Sequence, residues 1–288
     1  MPRTGVRSWD VPELPEVESV RRRLAPAMVG ARIAAVDLRR PDLRAPFPRG
    51  FARKLAGQTV VDLTRRAKYL LATLSSGDTL LMHLGMSGSF RVEGTPGQGH
   101  DSATAGSDPH DHVIFHLDSG ADVVFNDPRR FGVMDLVPSG GLERHPAVGA
   151  LGPEPLSDAF DAAALAAACA GKRSSLKAAL LDQRVVAGLG NIYVVEALHL
   201  AGLLPQRRAS TIATPGGAPR DAAYRLSEAI KRVLLDAIAR QSAADYRSDR
   251  FRVYDRQGQR CRRRRCGGVI RRRTQGGRSS FYCPVCQR

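Results

Sequence analysis

The chain has 288 residues, with 44 Lys+Arg against 28 Asp+Glu, for a formal net charge of +16. That length suits one large domain or two modest ones, either able to bury a real core. The charge favours an anionic partner, most often nucleic acid, with an acidic membrane surface as the rival. No run of about 18 apolar residues is present, which excludes a membrane-spanning helix, and no apolar signal core follows the first basic residues.

In chain order, residues 1–11 show no periodic pattern and contain the only tryptophan, Trp9. Pro12–Met28 has apolar spacing at Val17, Val20 and Leu24, which predicts a helix opened by prolines and acids. A series of short β-rich runs follows: Arg32–Leu38, Thr59–Leu63, Tyr69–Leu74, Thr79–His83, Ser89–Val92, His112–Leu117, Asp122–Phe125 and Gly132–Leu136. Such a series, with turn signals between its members, predicts a sandwich or barrel. Gly94–Pro109 is rich in Gly, Ser and Asp and reads as a mobile loop. Pro146–Ser157 carries three prolines and two glycines and reads as a linker. Beyond it the pattern is helical: Asp158–Ala170, Ser174–Gln183, Asn191–Ala201 and Asp221–Ala239, punctuated by Gly188, Gly190 and Gly202.

Four of the five cysteines lie in the last 28 residues, as Cys261-x4-Cys266 and Cys283-x2-Cys286. In a reducing cytoplasm clustered thiols read as metal ligands, and paired cysteines on two short turns suit one tetrahedral Zn2+. Gly267–Gly268 and Gly276–Gly277 allow tight turns between the pairs. This tail is too small for a core of its own and would gain folding energy from the metal. Twelve arginines and one acid, Asp255, lie between Phe251 and Arg288, a composition suited to phosphates. The fifth thiol, Cys169, lies in an alanine-rich stretch and reads as a small buried hydrophobe.

The segment Pro12-Glu13-Leu14-Pro15-Glu16-Val17-Glu18 resembles the N-terminus of bacterial formamidopyrimidine-DNA glycosylases. Six further blocks continue the resemblance in family order: Lys68-Tyr69-Leu70, His83-Leu84-Gly85-Met86-Ser87-Gly88, Asn126-Asp127-Pro128-Arg129-Arg130-Phe131-Gly132, Leu181-Asp182-Gln183, Gly188-Leu189-Gly190-Asn191-Ile192-Tyr193, and Gly277-Arg278-Ser279-Ser280-Phe281-Tyr282-Cys283. The resemblance implies an α+β multidomain fold. A β-sandwich flanked by helices (12–145) leads through a linker (146–156) to a helix-two-turn-helix domain (157–249) and a zinc-finger β-hairpin (250–288), with DNA bound between the domains. Residues 1–11 then stand outside the family pattern, as a non-native or mis-assigned extension.

The family's chemistry implies a monomeric, cytoplasmic, nucleoid-associated enzyme acting on double-stranded DNA with oxidised bases. It flips the damaged nucleotide out of the stack. The nucleophile is the secondary amine of an N-terminal proline, which maps to Pro12. An α-amino group titrates near ~8, against ~10.4 for lysine, so more of it is neutral at pH 7. Glu13 maps to the adjacent acid/base, Lys68 to the proton donor for β-elimination, and Arg278 to the finger arginine assigned to δ-elimination. Met86, Arg129 and Phe131 map to the residues that fill the vacated stack. His110, Lys172, Lys177 and Asn191 map to phosphate contacts, Asn191 at a helix start that favours anions.

Taken alone, several of these residues have plainer readings. Pro12 and Pro15 suit any helix start, Glu13 and Glu16 complement a helix dipole, Lys68 suits a strand start, and Met86 and Phe131 suit a core. Three departures from the family pattern stand out. As numbered, Pro12 is internal and its nitrogen a non-nucleophilic amide, so activity is expected to require a start or a cut at residue 11. The segment 242–250 is shorter than the family's loop over extruded 8-oxoguanine. The spacing Cys261-x4-Cys266 exceeds the usual two residues. Two other functions compete: an endonuclease VIII-like enzyme for oxidised pyrimidines, against which Leu14 and the Arg129/Phe131 pair argue, and a catalytically silent DNA-binding paralogue.

Overall fold

The computed structural model describes residues 12–94, 108–241 and 251–288. The readings placed on 1–11, on most of the loop after Gly94 and on the segment 242–250 fall outside the described residues. The chain divides into two compact units, Met1–Gly149 and Ala150–Arg288.

The first unit is a two-sheet sandwich. Helix α1 (Leu14–Met28) precedes β1 (Ile33–Leu38), the short α2 (Phe51–Leu55), β2 (Val60–Arg66), β3 (Tyr69–Leu74), β4 (Thr79–His83), β5 (Ser89–Glu93), β6 (Asp111–Leu117), β7 (Asp122–Asn126) and β8 (Val133–Val137). One sheet has the order β1-β6-β7-β5 and the other β2-β3-β4-β8, and every pairing is antiparallel. Alternate residues of both sheets, among them Leu63, Leu70, Met82, Phe115, Val123 and Phe125, join one buried core, as the two-residue period of a strand requires.

Helix α1 packs on β2 and β5, the edge strands of the two sheets, and α2 packs on β1. Both helices add apolar residues, among them Val17, Leu24, Phe51 and Leu55, to the core shared by the two sheets. Val17, Val20, Leu24 and Met28 form the buried stripe of α1. Its first turn is closed by a capping box, in which the Glu13 backbone N–H donates to Glu16 Oε2 at 2.9 Å, satisfying amides that have no partner inside the helix.

In the second unit, α3 (Ala162–Cys169), α4 (Leu176–Leu181), α5 (Asn191–Ala201) and α6 (Asp221–Gln241) are followed by a hairpin of β9 (Arg271–Gln275) and β10 (Arg278–Tyr282). Helix α5 is buried along almost its whole length and packs against α4, α6 and β10. Asp161 and Ser175 cap α3 and α4, each side chain accepting an N–H three residues on, a preference set by the open amides of a first turn. Gly276 and Gly277, at φ +54° and +71°, form the turn between β9 and β10. Two successive positive φ values are what a two-residue hairpin with right-twisted strands demands. Among the described residues no helix is long and apolar enough to cross a membrane.

The eight expected strands all occur, with ends shifted by no more than three residues. Helix α2 is not expected from the sequence: at five residues it is too short to show a period. The tail is expected to turn at its glycines, and its arginine-rich stretch forms the strand β9, with side chains exposed.

Candidate active site and metal centre

Pro12 lies half-buried immediately before α1, and Glu13 beside it is 3 % exposed. Glu13 is the helix N-cap, so the plain reading of these acids as helix-start residues is correct as local structure. Lys68 occupies the second position of the two-residue turn joining β2 to β3, whose flanking residues Arg66 and Tyr69 pair. The first position, Ala67, is buried at φ +53°. Its carbonyl accepts from Arg65 Nη1 at 2.9 Å, and Arg65 also meets Glu18 of α1. Together these contacts tie the lysine turn to the helix that begins after Pro12.

Across β3 and β4, the rings of Tyr69 and His83 pack tilted at 47°, with centroids 4.7 Å apart. His83 Nδ1 accepts the Gly85 N–H at 2.9 Å, which leaves the ring proton on Nε2. Burial, together with the charges of Lys68 and Arg44, pushes its pKa down to about 4. His83 is therefore a neutral donor beside the lysine turn. The motif around His83 is legible in the sequence, yet it assigns that residue no role. The one available signal is its strand position, two residues before a glycine that forces a turn.

Met86, Arg129 and Phe131 sit on two loops locked to each other. The buried carboxylate of Asp127 accepts from Ser87 Oγ at 2.5 Å and from the Gly132 N–H at 2.7 Å. The Arg129 N–H reaches Ser87 Oγ at 3.2 Å. At Gly85 (φ +65°) the loops touch backbone to backbone: a Cβ there would lie 2.3 Å from the Phe131 carbonyl carbon. Phe131 is 38 % exposed and carries the Arg129 guanidinium 4.8 Å from its ring centre, while Met86 is half-buried. Neither Met86 nor Phe131 is a core residue. His110 is also exposed, and its ring lies edge-on to that of His112, 6.4 Å away.

In the second unit, Gln183 builds the loop before α5. Its amide donates to the Leu181 and Leu189 carbonyls, and its oxygen accepts the Gly188 N–H at 2.9 Å. This places Asn191 at the first helical position of α5. Lys172 is half-buried between α3 and α4. Lys177 differs from what a surface phosphate contact suggests. It is 1 % exposed, and its ammonium donates to the Ser279 carbonyl at 2.9 Å and to Ser280 Oγ at 2.8 Å. In this structure it joins α4 to β10, the strand that begins with the exposed Arg278.

The sulfurs of Cys261, Cys266, Cys283 and Cys286 lie within 4.8 Å of one another. Cys261 and Cys286 are 3.8 Å apart, Cys266 and Cys283 3.5 Å. A disulfide needs ~2.05 Å, whereas four thiolates at the zinc bond length of ~2.3 Å stand about 3.8 Å apart. The set therefore suits a tetrahedral metal ion, and the four-residue spacing of the first pair does not prevent it.

The formamidopyrimidine-DNA glycosylase N-terminal domain model matches residues 11–134, and the corresponding H2TH domain model matches 151–247. The formamidopyrimidine-DNA glycosylase of a Bradyrhizobium species is 60 % identical over 96 % of this chain and all of its own length. That of Afipia carboxidovorans is 57 % identical with the same coverage. Among solved structures, MutM (Fpg) from Thermus thermophilus is 36 % identical, with a TM-score of 0.79 over 96 % of this chain and 98 % of its own. Lactococcus lactis Fpg in complex with FAPY-dG DNA is 29 % identical, with a TM-score of 0.82 over 96 % of this chain and all of its own.

Proposed function

The chain belongs to the formamidopyrimidine-DNA glycosylase family of base-excision-repair enzymes, and on that premise we propose that it excises oxidised purines from double-stranded DNA through the amine of Pro12. The observation that carries this reading is where the likeness begins. The family model starts at residue 11, and relatives fit their entire length into 96 % of this chain. Pro12 is then the first residue of the working enzyme, once a start or a cut at residue 11 frees its nitrogen.

In the proposed reaction the neutral Pro12 amine attacks C1′ of the flipped nucleotide and the damaged base departs with the glycosidic bonding electrons. Glu13, held at the helix cap beside Pro12, assists sugar opening and proton transfer. The nitrogen and C1′ become an iminium, which acidifies the 2′-proton. Its loss expels the 3′ phosphate, with Lys68 as the proton donor. A second elimination, assisted by Arg278, expels the 5′ phosphate, and water then hydrolyses the iminium, releasing the sugar fragment as an aldehyde and freeing the proline. Met86, Arg129 and Phe131 occupy the emptied stack, a step that offsets a few kcal/mol of unstacking. His110, Lys172 and Asn191 hold phosphates, while the buried Lys177 anchors the hairpin that carries Arg278. One structural Zn2+ held by Cys261, Cys266, Cys283 and Cys286 would fix the finger that carries Arg278. We place the domains at 12–145, 157–249 and 250–288 with a linker at 146–156, and the enzyme acts as a monomer.

The alignment with the Bradyrhizobium relative runs over 295 positions, more than this chain contains, so it opens gaps in this chain. The short segment 242–250 predicts weaker discrimination for 8-oxoguanine than for ring-opened purines. Single-turnover excision from duplexes holding one lesion each tests this. Faster release of the formamidopyrimidine is expected, and equal rates would refute it. A protein that binds these duplexes but excises neither lesion, even with Pro12 N-terminal, would be the silent paralogue.

A further inference from the structure

We propose that His199 is a positioning residue of the cysteine site, its Nε2–H donating to Cys261 Sγ and pinning that thiolate to the end of α5. The proposal rests on reading the four cysteines as a metal site. His199 lies in the last turn of α5, 1 % exposed, and belongs to none of the motif blocks. Its Nε2 is 3.2 Å from Cys261 Sγ and 3.7 Å from Cys286 Sγ. Around a metal all four sulfurs are thiolates, which accept hydrogen bonds and cannot give them, so the proton between Nε2 and Sγ must be the imidazole's. Nδ1 is buried with no hydrogen-bond partner among the described residues. The bond to sulfur is thus the contact that accounts for a polar ring in this interior.

Cys261 Sγ has a second donor. The Arg263 N–H points at its sulfur at 3.4 Å. The Arg263 guanidinium bonds the carbonyls of His199 and Leu200, the latter at 3.1 Å. One short stretch of α5 therefore holds both a donor to Cys261 and the anchor of the residue two places after it. This arrangement answers the wide Cys261-x4-Cys266 spacing. Arg262–Arg265 form a longer loop than two residues would, with Arg265 at φ +60°. A longer loop constrains its ends less, and α5 supplies the missing constraint. A metal with four thiolates carries net negative charge. Donors to its sulfurs disperse that charge, and losing such a partner typically costs 10–100-fold in metal affinity.

The test uses full-length protein loaded with Zn2+ or Co2+. Release of metal to a chelator is compared in the parent, His199→Phe and His199→Gln. Phe keeps the ring's volume without a donor, whereas Gln restores an N–H. We expect release to be at least about tenfold faster in His199→Phe and to return towards the parent rate in His199→Gln. The thiolate-to-cobalt absorption should keep its four-sulfur intensity in all three. Equal release rates in the parent and His199→Phe would overturn the proposal. So would a parent cobalt spectrum of three sulfurs and one nitrogen, which would make His199 a ligand. A parent that takes up neither metal would instead remove the metal reading itself, and the three outcomes are separable in one titration.

Discussion

At Glu18 three arginines converge on one carboxylate. Arg21 and Arg22 approach from the same helix at 2.8 and 2.9 Å, and Arg65 from β2 at 3.3 Å. Burial alone would raise its pKa, yet the hydrogen bonds of Arg21 and Arg22 and the charges of Arg21 and Arg65 hold it at about 2. A folded value below the unfolded 4.5 means the pairing stabilises the fold fully above pH 4.5 and loses that effect as pH falls from 4.5 towards 2. Glu18→Gln should cost roughly 1.5–3 kcal/mol at neutral pH and should flatten the acid limb of the stability curve. Urea denaturation at pH 7 and pH 3 checks this. A variant that loses as much stability as the parent between those pH values would contradict it. Glu18 stands in the first motif block, but its residue type carries no sign of Arg65, 47 positions away. Lys177 shows the same limit. Its identity was legible as basic, while its burial against Ser279 and Ser280 depends on a strand about a hundred residues later.

The loops that present Met86, Arg129 and Phe131 depend on Gly85, where positive φ and backbone contact coincide. Gly85→Ala would require the Phe131–Gly132 backbone to move. It should destabilise the first unit by about 2 kcal/mol or more and slow excision further by displacing Phe131. Thermal denaturation and single-turnover kinetics measure the two effects. An alanine variant with parent melting temperature and parent rate would show that the loops are not locked there. Strands were the most legible elements, since short apolar runs between turn residues leave little choice of structure. Helix α2 was invisible because two buried residues, Phe51 and Leu55, are too few to define a period. The blocks His83–Gly88 and Asn126–Gly132 were legible as motifs. That Asp127 and Ser87 clasp them to each other was not, because the clasp spans 40 residues and follows from sheet topology.

For the molecule as a whole, the charge of +16 and the exposed arginines of β9 make DNA affinity depend on counterion release. The logarithm of affinity should fall linearly with the logarithm of salt concentration, by about 0.9 for each phosphate neutralised. Arg278→Ala should reduce that slope by about one unit. Fluorescence anisotropy at several salt concentrations reads it, and an unchanged slope would remove Arg278 from the phosphate contacts. The order of β-rich region, helices and cysteine tail was legible from the pattern of apolar runs, turn residues and cysteine spacing, and the motif blocks added the sandwich, the hairpin and the chemistry. What no composition reveals is whether Pro12 has a free amine, because the same residue in the same fold is inert as an amide. The most direct test is borohydride reduction of the protein on an 8-oxoguanine or formamidopyrimidine duplex, followed by proteolysis and mass spectrometry of the adduct. The account predicts one cross-linked peptide that begins at Pro12 and carries the sugar on its nitrogen. An adduct on a lysine, or a cross-linked peptide that retains Trp9, would contradict it.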